Sequence, residues 1–289
     1  MTKKDNKSIE NQRVNYIVDN WTTSTQNPSD HFKDMLNNVG ISISNINNIL
    51  ALGKLNDHHD FEIHCNNNKV FKIEHKGFAS DDSKYDPHRP WNDYPQIING
   101  SVACLPSIRN KYCKEWHNQL PILKTILKIN VPIPSYNEFC KDAAMGSHKT
   151  VWGQHLYDMV KKEKAKRKVL NNYTQAFTKN FWENIEKNDP DFKNSFKKEL
   201  FNEINQTLNN KDLWLNAYYN STKDIEPTSI KLSIVPKLLE LRIGKVSTGL
   251  SGPEVEYRLS SSPNKWYKGE ARLRWQNRNG IANVSWKIK

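Results

Sequence analysis

Residues 60–76, DFEIHCNNNKVFKIEHK, constrain the fold more than any other stretch of the chain. Apolar and polar residues alternate on both sides of Asn66-Asn67-Asn68, which is the period-two signature of half-buried strands. Asparagine tolerates the left-handed backbone conformations that a tight turn needs. The stretch therefore reads as one β-hairpin, Asp60–Cys65 against Lys69–Lys76. With the three asparagines as the loop, Cys65 faces Lys69, Glu62 faces Lys72 and Asp60 faces Glu74. Directly opposed residues carry Cβ atoms about 4.5–5.5 Å apart, so two carboxylates placed this way repel unless a cation lies between them. Lys76, two residues beyond Glu74, shares its face of the strand. Two carboxylates and an ammonium converging at one end of a hairpin suit a divalent metal and an activated water. The plainer alternative is an ion-pair ladder on an ordinary sheet, with Glu62 opposite Lys72 as one rung.

Glu74-His75-Lys76, preceded by an acidic residue at the start of the neighbouring strand, resembles the motif of the PD-(D/E)xK nuclease superfamily. His59-Asp60 stands where that family often has Pro-Asp. The resemblance covers roughly residues 45–100. It implies a restriction-endonuclease-like fold: an α+β chain with a central mixed sheet flanked by helices, here with a helical insertion and a C-terminal β-rich segment. It implies a metal-dependent endonuclease of DNA, double-stranded by expectation. Asp60, Glu74 and the backbone carbonyl of His75 would hold Mg²⁺, with Mn²⁺ as its alternative, and Lys76 would orient or deprotonate the attacking water. The family often adds an acidic residue from a preceding helix. Glu10 and Asp34 are candidates, and Asp57 is nearer in sequence. The Q-x-x-x-Y submotif of RecB-like relatives is not matched, since only two residues separate Gln154 from Tyr157. Cutting both strands calls for two active sites, which makes a homodimer a candidate assembly.

A formal net charge of +12 favours polyanionic partners, nucleic acid first among them. A membrane partner is not expected, because no run of about eighteen apolar residues occurs. The N-terminal MTKKDNKSIENQ lacks the apolar run of a secretory signal. An intracellular protein, cytoplasmic or nucleoid/nuclear, is expected, and the Asn, Lys and Ile richness points to an AT-rich genome, that of a virus, a mobile element or an AT-rich microbe. Cysteines 65, 104, 113 and 140 form no C-x-x-C, which speaks against structural zinc and for reduced thiols.

Along the chain three segments are expected: a nuclease-like core over 1–135, a helical region over 136–226, and a β segment over 227–289 that either completes the core or binds DNA. Helices are expected over Ile9–Trp21, His31–Asn38 and Ser44–Leu52. Val102–Ile108 reads as a strand, Leu123–Ile129 as a strand or short helix, and Leu213–Tyr219 as the close of the helical region. The loop over 77–101 carries Asp81, Asp82, His88 and Arg89, with Trp91 and Tyr94 as apolar anchors. Loops this long are often functional.

Thr150–Asn188 reads as one long amphipathic stretch. Its basic run, Lys161, Lys162, Lys164, Lys166, Arg167 and Lys168, is either a solvated face or a phosphate-tracking surface. Tyr173, Phe177, Phe181 and Trp182 at helical spacing read as core. Gly269–Lys289 reads as a second hairpin. Its polar face carries Arg272, Arg274 and Lys287, with Arg278 at the tip, a face that suits a DNA groove or plain solvent. His58 and His59 beside Asp60 read as structural or solvated rather than as metal ligands. The rival to the nuclease is a non-catalytic nucleic-acid-binding protein that uses the basic helix and the Arg-rich ribbon.

Overall fold

A computed structural model describes residues 3–52, 59–79, 101–103, 106–145, 150–246, 252–275 and 284–288. The chain begins with α1 (Lys3–Gln26), α2 (Asp30–Asn37), a 3-10 turn (Ile43–Asn45), β1 (Ile46–Ala51), β2 (Phe61–Cys65) and β3 (Val70–Ala79). It continues through β4 (Ser101–Ala103), α3 (Pro106–His117), α4 (Leu120–Leu127), α5 (Tyr136–Met145), α6 (Val151–Lys162), α7 (Lys164–Asn188) and α8 (Pro190–Asn209). It ends with β5 (Leu213–Tyr219), β6 (Ser229–Ile234), β7 (Leu238–Val246), β8 (Pro253–Leu259), β9 (Ser262–Trp275) and β10 (Val284–Ile288). The class is α+β, as expected.

The chain divides into two compact units, each built from two segments. One comprises Met1–Pro95 with Gln206–Lys237, the other Gln96–Asn205 with Leu238–Lys289. This differs from the three consecutive segments read from the sequence. The cause is β5. LWLNAYY alternates buried and half-buried positions with period two, so it is a strand and not the end of the helical region. It pairs in parallel with β3, Ile73 opposite Leu213 through Ala79 opposite Tyr219. Parallel strands need a long crossover, and here the crossover contains most of the second unit.

The first unit is a mixed sheet of order β1-β2-β3-β5-β6. One face packs on α1 and α2 through Val14, Ile17, Val18, Trp21, Phe32, Met35 and Leu36. Opposite them lie Phe61, Ile63, Phe71, Ile73, Leu213, Leu215 and Ala217. Trp21 sits edge-on to Phe61 at 5.5 Å and to Phe32 at 5.6 Å. Each such side chain, fully buried, contributes about 1.5–3 kcal/mol. The Ser29 hydroxyl caps α2 by accepting the Phe32 N–H (3.2 Å), and Gly40 at φ +76° turns the chain out of it.

The β2–β3 hairpin has the expected register, Phe61 opposite Ile73, Glu62 opposite Lys72 and Ile63 opposite Phe71. Asn68 supplies the left-handed turn residue at φ +63°. Residues 44–52 depart from the expected helix. They finish a 3-10 turn and form β1, which pairs antiparallel with β2 and sets Ile49 opposite Ile63. β-Branched and Asn residues dominate this run, and they favour a strand or a turn over a helix once a sheet edge offers partners.

The second unit holds an antiparallel sheet of order β4-β10-β9-β8-β7 and helices α3 to α8. Tyr112, Trp116, Phe139, Phe181 and Trp275 are buried in its core. The Tyr112 hydroxyl meets Thr178 Oγ1 at 2.8 Å. Phe181 and Trp182 are core residues, as expected. The stretch 150–188 is two helices rather than one, broken at Glu163 (φ −112°, ψ 93°). The strand expected over 102–108 is only β4, because α3 starts at Pro106, a residue whose fixed φ suits a helix start. Residues 123–127 belong to helix α4. The C-terminal β segment is split: β6 completes the first sheet, and β7 to β10 make the second. Among the described residues no helix is long and apolar enough to cross a membrane.

Candidate active site

Asp60 ends the connection into β2 and is pinned by backbone. Its N–H donates to the Ile73 carbonyl (2.9 Å), and its carbonyl accepts the Leu52 N–H (2.9 Å). Its side-chain Oδ2 accepts the His75 N–H at 2.7 Å. Among the described residues the other oxygen, Oδ1, takes no hydrogen bond. Glu74 lies across the hairpin on β3. Its Oε1 pairs with the Lys76 ammonium, and its Oε2 pairs with Lys211 Nζ at 2.8 Å. The side chains of Glu74, Lys76 and Lys211 are 13%, 27% and 15% exposed, so the group is neither sealed in the core nor loose in bulk water. The expected triad of Asp60, Glu74 and Lys76 is thus gathered at one place, with Lys211 added.

The two carboxylates titrate in opposite directions. Burial pushes Asp60 up to about 6, and the charge of Glu74 adds to the push. The His75 N–H and Lys76 oppose it, and Glu10 on α1 contributes a smaller push of its own. Burial also raises Glu74, but the ammoniums of Lys76 and Lys211 together outweigh it and hold that carboxyl below its ordinary range. Like charges at close range produce this kind of asymmetry. Of the candidate third acids, Glu10 is felt at Asp60, whereas Asp34 sits exposed on α2 and is not among the charges acting there.

Beneath these groups, on the core side of β3, His75 is buried and its Nε2 lies 3.0 Å from the Tyr219 hydroxyl. Among the described residues its Nδ1 has no partner. Burial, followed by the charges of Arg13 and Lys76, pushes the imidazole down to about 4, so it is neutral at physiological pH. The Arg13 guanidinium stacks on the Tyr219 ring at 3.7 Å and donates to the Asp224 and Ser221 carbonyls (2.7 and 3.1 Å). Gly77 permits this packing, since a Cβ there would meet Arg13 Nη1 at 3.2 Å and Tyr219 Cε2 at 3.3 Å. Asp212 fixes the β3–β5 register: its N–H donates to the Lys72 carbonyl (2.8 Å), and its Oδ2 accepts the Lys72 N–H (2.8 Å). Lys211 is the preceding residue, so the same clamp delivers its ammonium to Glu74.

The Glu62–Lys72 rung of the plainer ion-pair-ladder reading is not an ion pair. Although the two residues are opposite in register, the Glu62 carboxylate is held by His59 Nε2 (2.8 Å) and His64 Nε2 (2.7 Å). Lys161 and Lys162 end α6, and Lys164, Lys166, Arg167 and Lys168 begin α7. All are exposed except Lys166, which is half-buried and paired with Glu163 at 3.0 Å. Arg272 and Arg274 stand on β9 opposite Lys287 and Ser285 of β10. Asp57, His58, Asp81, Asp82, His88, Arg89, Trp91, Tyr94, Cys104 and Arg278 lie outside the described residues.

Among the described residues no cluster of three or more His, Cys, Asp or Glu side chains forms a ready metal cage. The donors present are two carboxylates, one of them with an oxygen that takes no hydrogen bond among the described residues. Mg²⁺ dehydrates reluctantly and is commonly held by one or two carboxylates, with water and phosphate completing the shell, so this hard-oxygen pair fits it. No protein-family model, curated protein or solved structure matches the chain.

Proposed function

We propose that this protein is a metal-dependent endonuclease that hydrolyses phosphodiester bonds in DNA, as the PD-(D/E)xK resemblance implies. The observation that carries the reading is the meeting of Asp60 and Glu74 across one hairpin, where burial first and the charge of Glu74 second raise Asp60 to about 6, with Lys76 on Glu74. The net charge of +12 and the exposed lysines at the α6–α7 junction favour a polyanionic substrate. Asp60, Glu74 and the His75 carbonyl would hold Mg²⁺ or Mn²⁺, which supplies a Lewis acid for a phosphoryl oxygen and for water.

The chain's own groups do the rest. The His75 N–H orients the Asp60 carboxylate, so that this acid faces Glu74 instead of turning to solvent. Lys76, half-buried beside Glu74, positions the attacking water and balances the negative charge that grows on the phosphorus. The buried Tyr219–His75 contact holds the strand carrying both Glu74 and Lys76. Incubation of supercoiled plasmid with Mg²⁺ tests the reading. The wild type is expected to nick or linearise it, and Asp60→Ala and Lys76→Ala are expected not to. Cleavage that persists in both variants would place the chemistry elsewhere.

One observation favours the non-catalytic reading. Glu74 is already neutralised by two ammoniums, which is a complete ion-pair network without any metal. A protein of that kind would bind DNA in a salt-sensitive way and leave the plasmid intact at every Mg²⁺ concentration.

A further inference from the structure

Lys211 has no counterpart in the E-x-K motif, yet its ammonium touches the same carboxylate as Lys76. The two lysines reach Glu74 from opposite directions along the parallel β3–β5 pair. Lys76 stands opposite Asn216, whereas Lys211 precedes by two residues Leu213, the partner of Ile73. They also hold different oxygens, Oε1 for Lys76 and Oε2 for Lys211. With both lysines charged and both acids ionised, the four charges cancel.

Such a neutral group has no net charge with which to draw a divalent cation, so binding is strengthened by any negative charge that arrives with it. A phosphodiester brings one such charge, and more develops on its departing oxygen as the bond to phosphorus breaks. In an in-line displacement the entering and departing oxygens lie at opposite ends, with charge on the equatorial oxygens and growing on the departing one. One ammonium on each oxygen of Glu74 suits that in-line arrangement, whereas Lys76 alone would serve one end.

We propose that Lys211 is a second catalytic lysine, which hydrogen-bonds the departing oxygen and gives it a proton. This rests on the nuclease reading above, with Lys76 on the side of the water. In the step, the water oxygen bonds to phosphorus and releases one proton to solvent. The bond from phosphorus to the departing oxygen breaks, and that oxygen takes a proton from the Lys211 ammonium. Lys211 regains its proton from solvent. The sum is one water consumed, with one phosphomonoester and one alcohol formed. Before substrate arrives Lys211 has a second effect, because it competes with any cation for Glu74 Oε2.

The proposal therefore expects Lys211→Met to act with opposite signs on two readouts. Mn²⁺ binding without DNA, followed by calorimetry and by thermal shift, is expected to tighten by about threefold or more, since a competitor is gone. Cleavage of a duplex oligonucleotide in Mg²⁺ is expected to slow by about a hundredfold. Product ends identify the cut and the departing oxygen. In the same duplex made with sulfur at that atom, a thiolate leaves without protonation, so the Lys211→Met deficit is expected to shrink below about tenfold. That of Lys76→Met is expected to remain. Lys211→Arg retains the cation and separates loss of charge from loss of folding.

Wild-type cleavage by Lys211→Met would overturn the proposal. So would weakened Mn²⁺ binding in a folded variant, which would make Lys211 a mere prop for Glu74. So would a deficit that the sulfur substrate leaves unchanged. A wild type that neither binds Mn²⁺ nor cuts DNA would instead sink the nuclease reading, and this proposal with it.

Discussion

The two faces of β3 spend burial differently. On the core face, Ile73 packs in the core with residues of α1 and α2, and the paired polar atoms meet neutral partners: His75 Nε2 the Tyr219 hydroxyl, and Arg13 backbone carbonyls and an aromatic ring. On the opposite face Glu74 and Lys76 keep their charges half-buried, and Asp60 across the hairpin is ionised at neutral pH only against an electrostatic penalty. A strand with a period of two makes this division easy, because adjacent residues never share an environment. The core face fixes where the strand lies. The charged face stores an interaction that a divalent cation would relieve, at a cost in stability.

The largest expected effect is that of Glu74→Ala. It leaves the half-buried ammoniums of Lys76 and Lys211 without the anion they share, and it removes a proposed metal donor. Breaking a buried ion pair costs about 3–5 kcal/mol when complete, and with these groups partly solvated about 2 kcal/mol is expected from urea unfolding. Plasmid cleavage is expected to vanish in the same variant. A fully stable Glu74→Ala would mean that the charged face stores little.

Asp60→Asn sharpens the comparison through the sign of its effect. The folded chain keeps the Asp60 proton up to about pH 6, whereas an ordinary carboxyl loses it near 3.8. The folded state thus binds more protons between those values, and stability falls as pH rises across that window. A displacement of that size corresponds to about 3 kcal/mol. Asp60→Asn still accepts the His75 N–H, so it is expected to be more stable than wild type at pH 8 by up to about 3 kcal/mol and equal to it below pH 4. His75 behaves oppositely. Its ordinary value of 6.5 drops to about 4 on burial, so stability rises with pH across that window. In the wild type the two slopes largely cancel, and in Asp60→Asn the rising slope of His75 is expected to stand alone. Thermal unfolding at closely spaced pH values between 4 and 7 reads both.

Tyr219→Phe probes the core face alone. It leaves the buried His75 Nε2 without its partner, at a cost of about 1–3 kcal/mol. Cation affinity is expected to stay within a fewfold, because no charged group of the other face is touched. The smallest effect concerns the second unit. Replacing Lys164 and Arg167 at the start of α7 by Gln is expected to leave stability unchanged and to lower the salt slope of DNA binding by about two. An unaltered slope would make that run a solvated face.

Legibility in the sequence followed the same division. The hairpin, its register and the Asp60–Glu74–Lys76 grouping were readable, because alternation and a three-asparagine turn are local signals. Lys211 was not, because it depends on β5. Leu213–Tyr219 follows some seventy residues of helical pattern, and its alternation was absorbed into that context. Had the run been read as a strand, Lys211-Asp212 before it would have marked the end of a β3 partner. Residues 44–52 misled for a related reason: an edge strand satisfied by one neighbour carries too little alternation to outweigh a plausible cap and a closing glycine. The discontinuity of the two units was hidden altogether, because parallel pairing between β3 and β5 is a non-local fact.

The central claim is that Asp60 and Glu74 together hold one divalent cation, and a Mn²⁺ titration of the wild type and Asp60→Asn at pH 8 and pH 5 tests it most directly. The account expects one ion bound by the wild type at pH 8, about tenfold weaker binding at pH 5 as Asp60 takes up its proton, and little binding by Asp60→Asn at either pH. Equal affinity of the two proteins at pH 8 would contradict it.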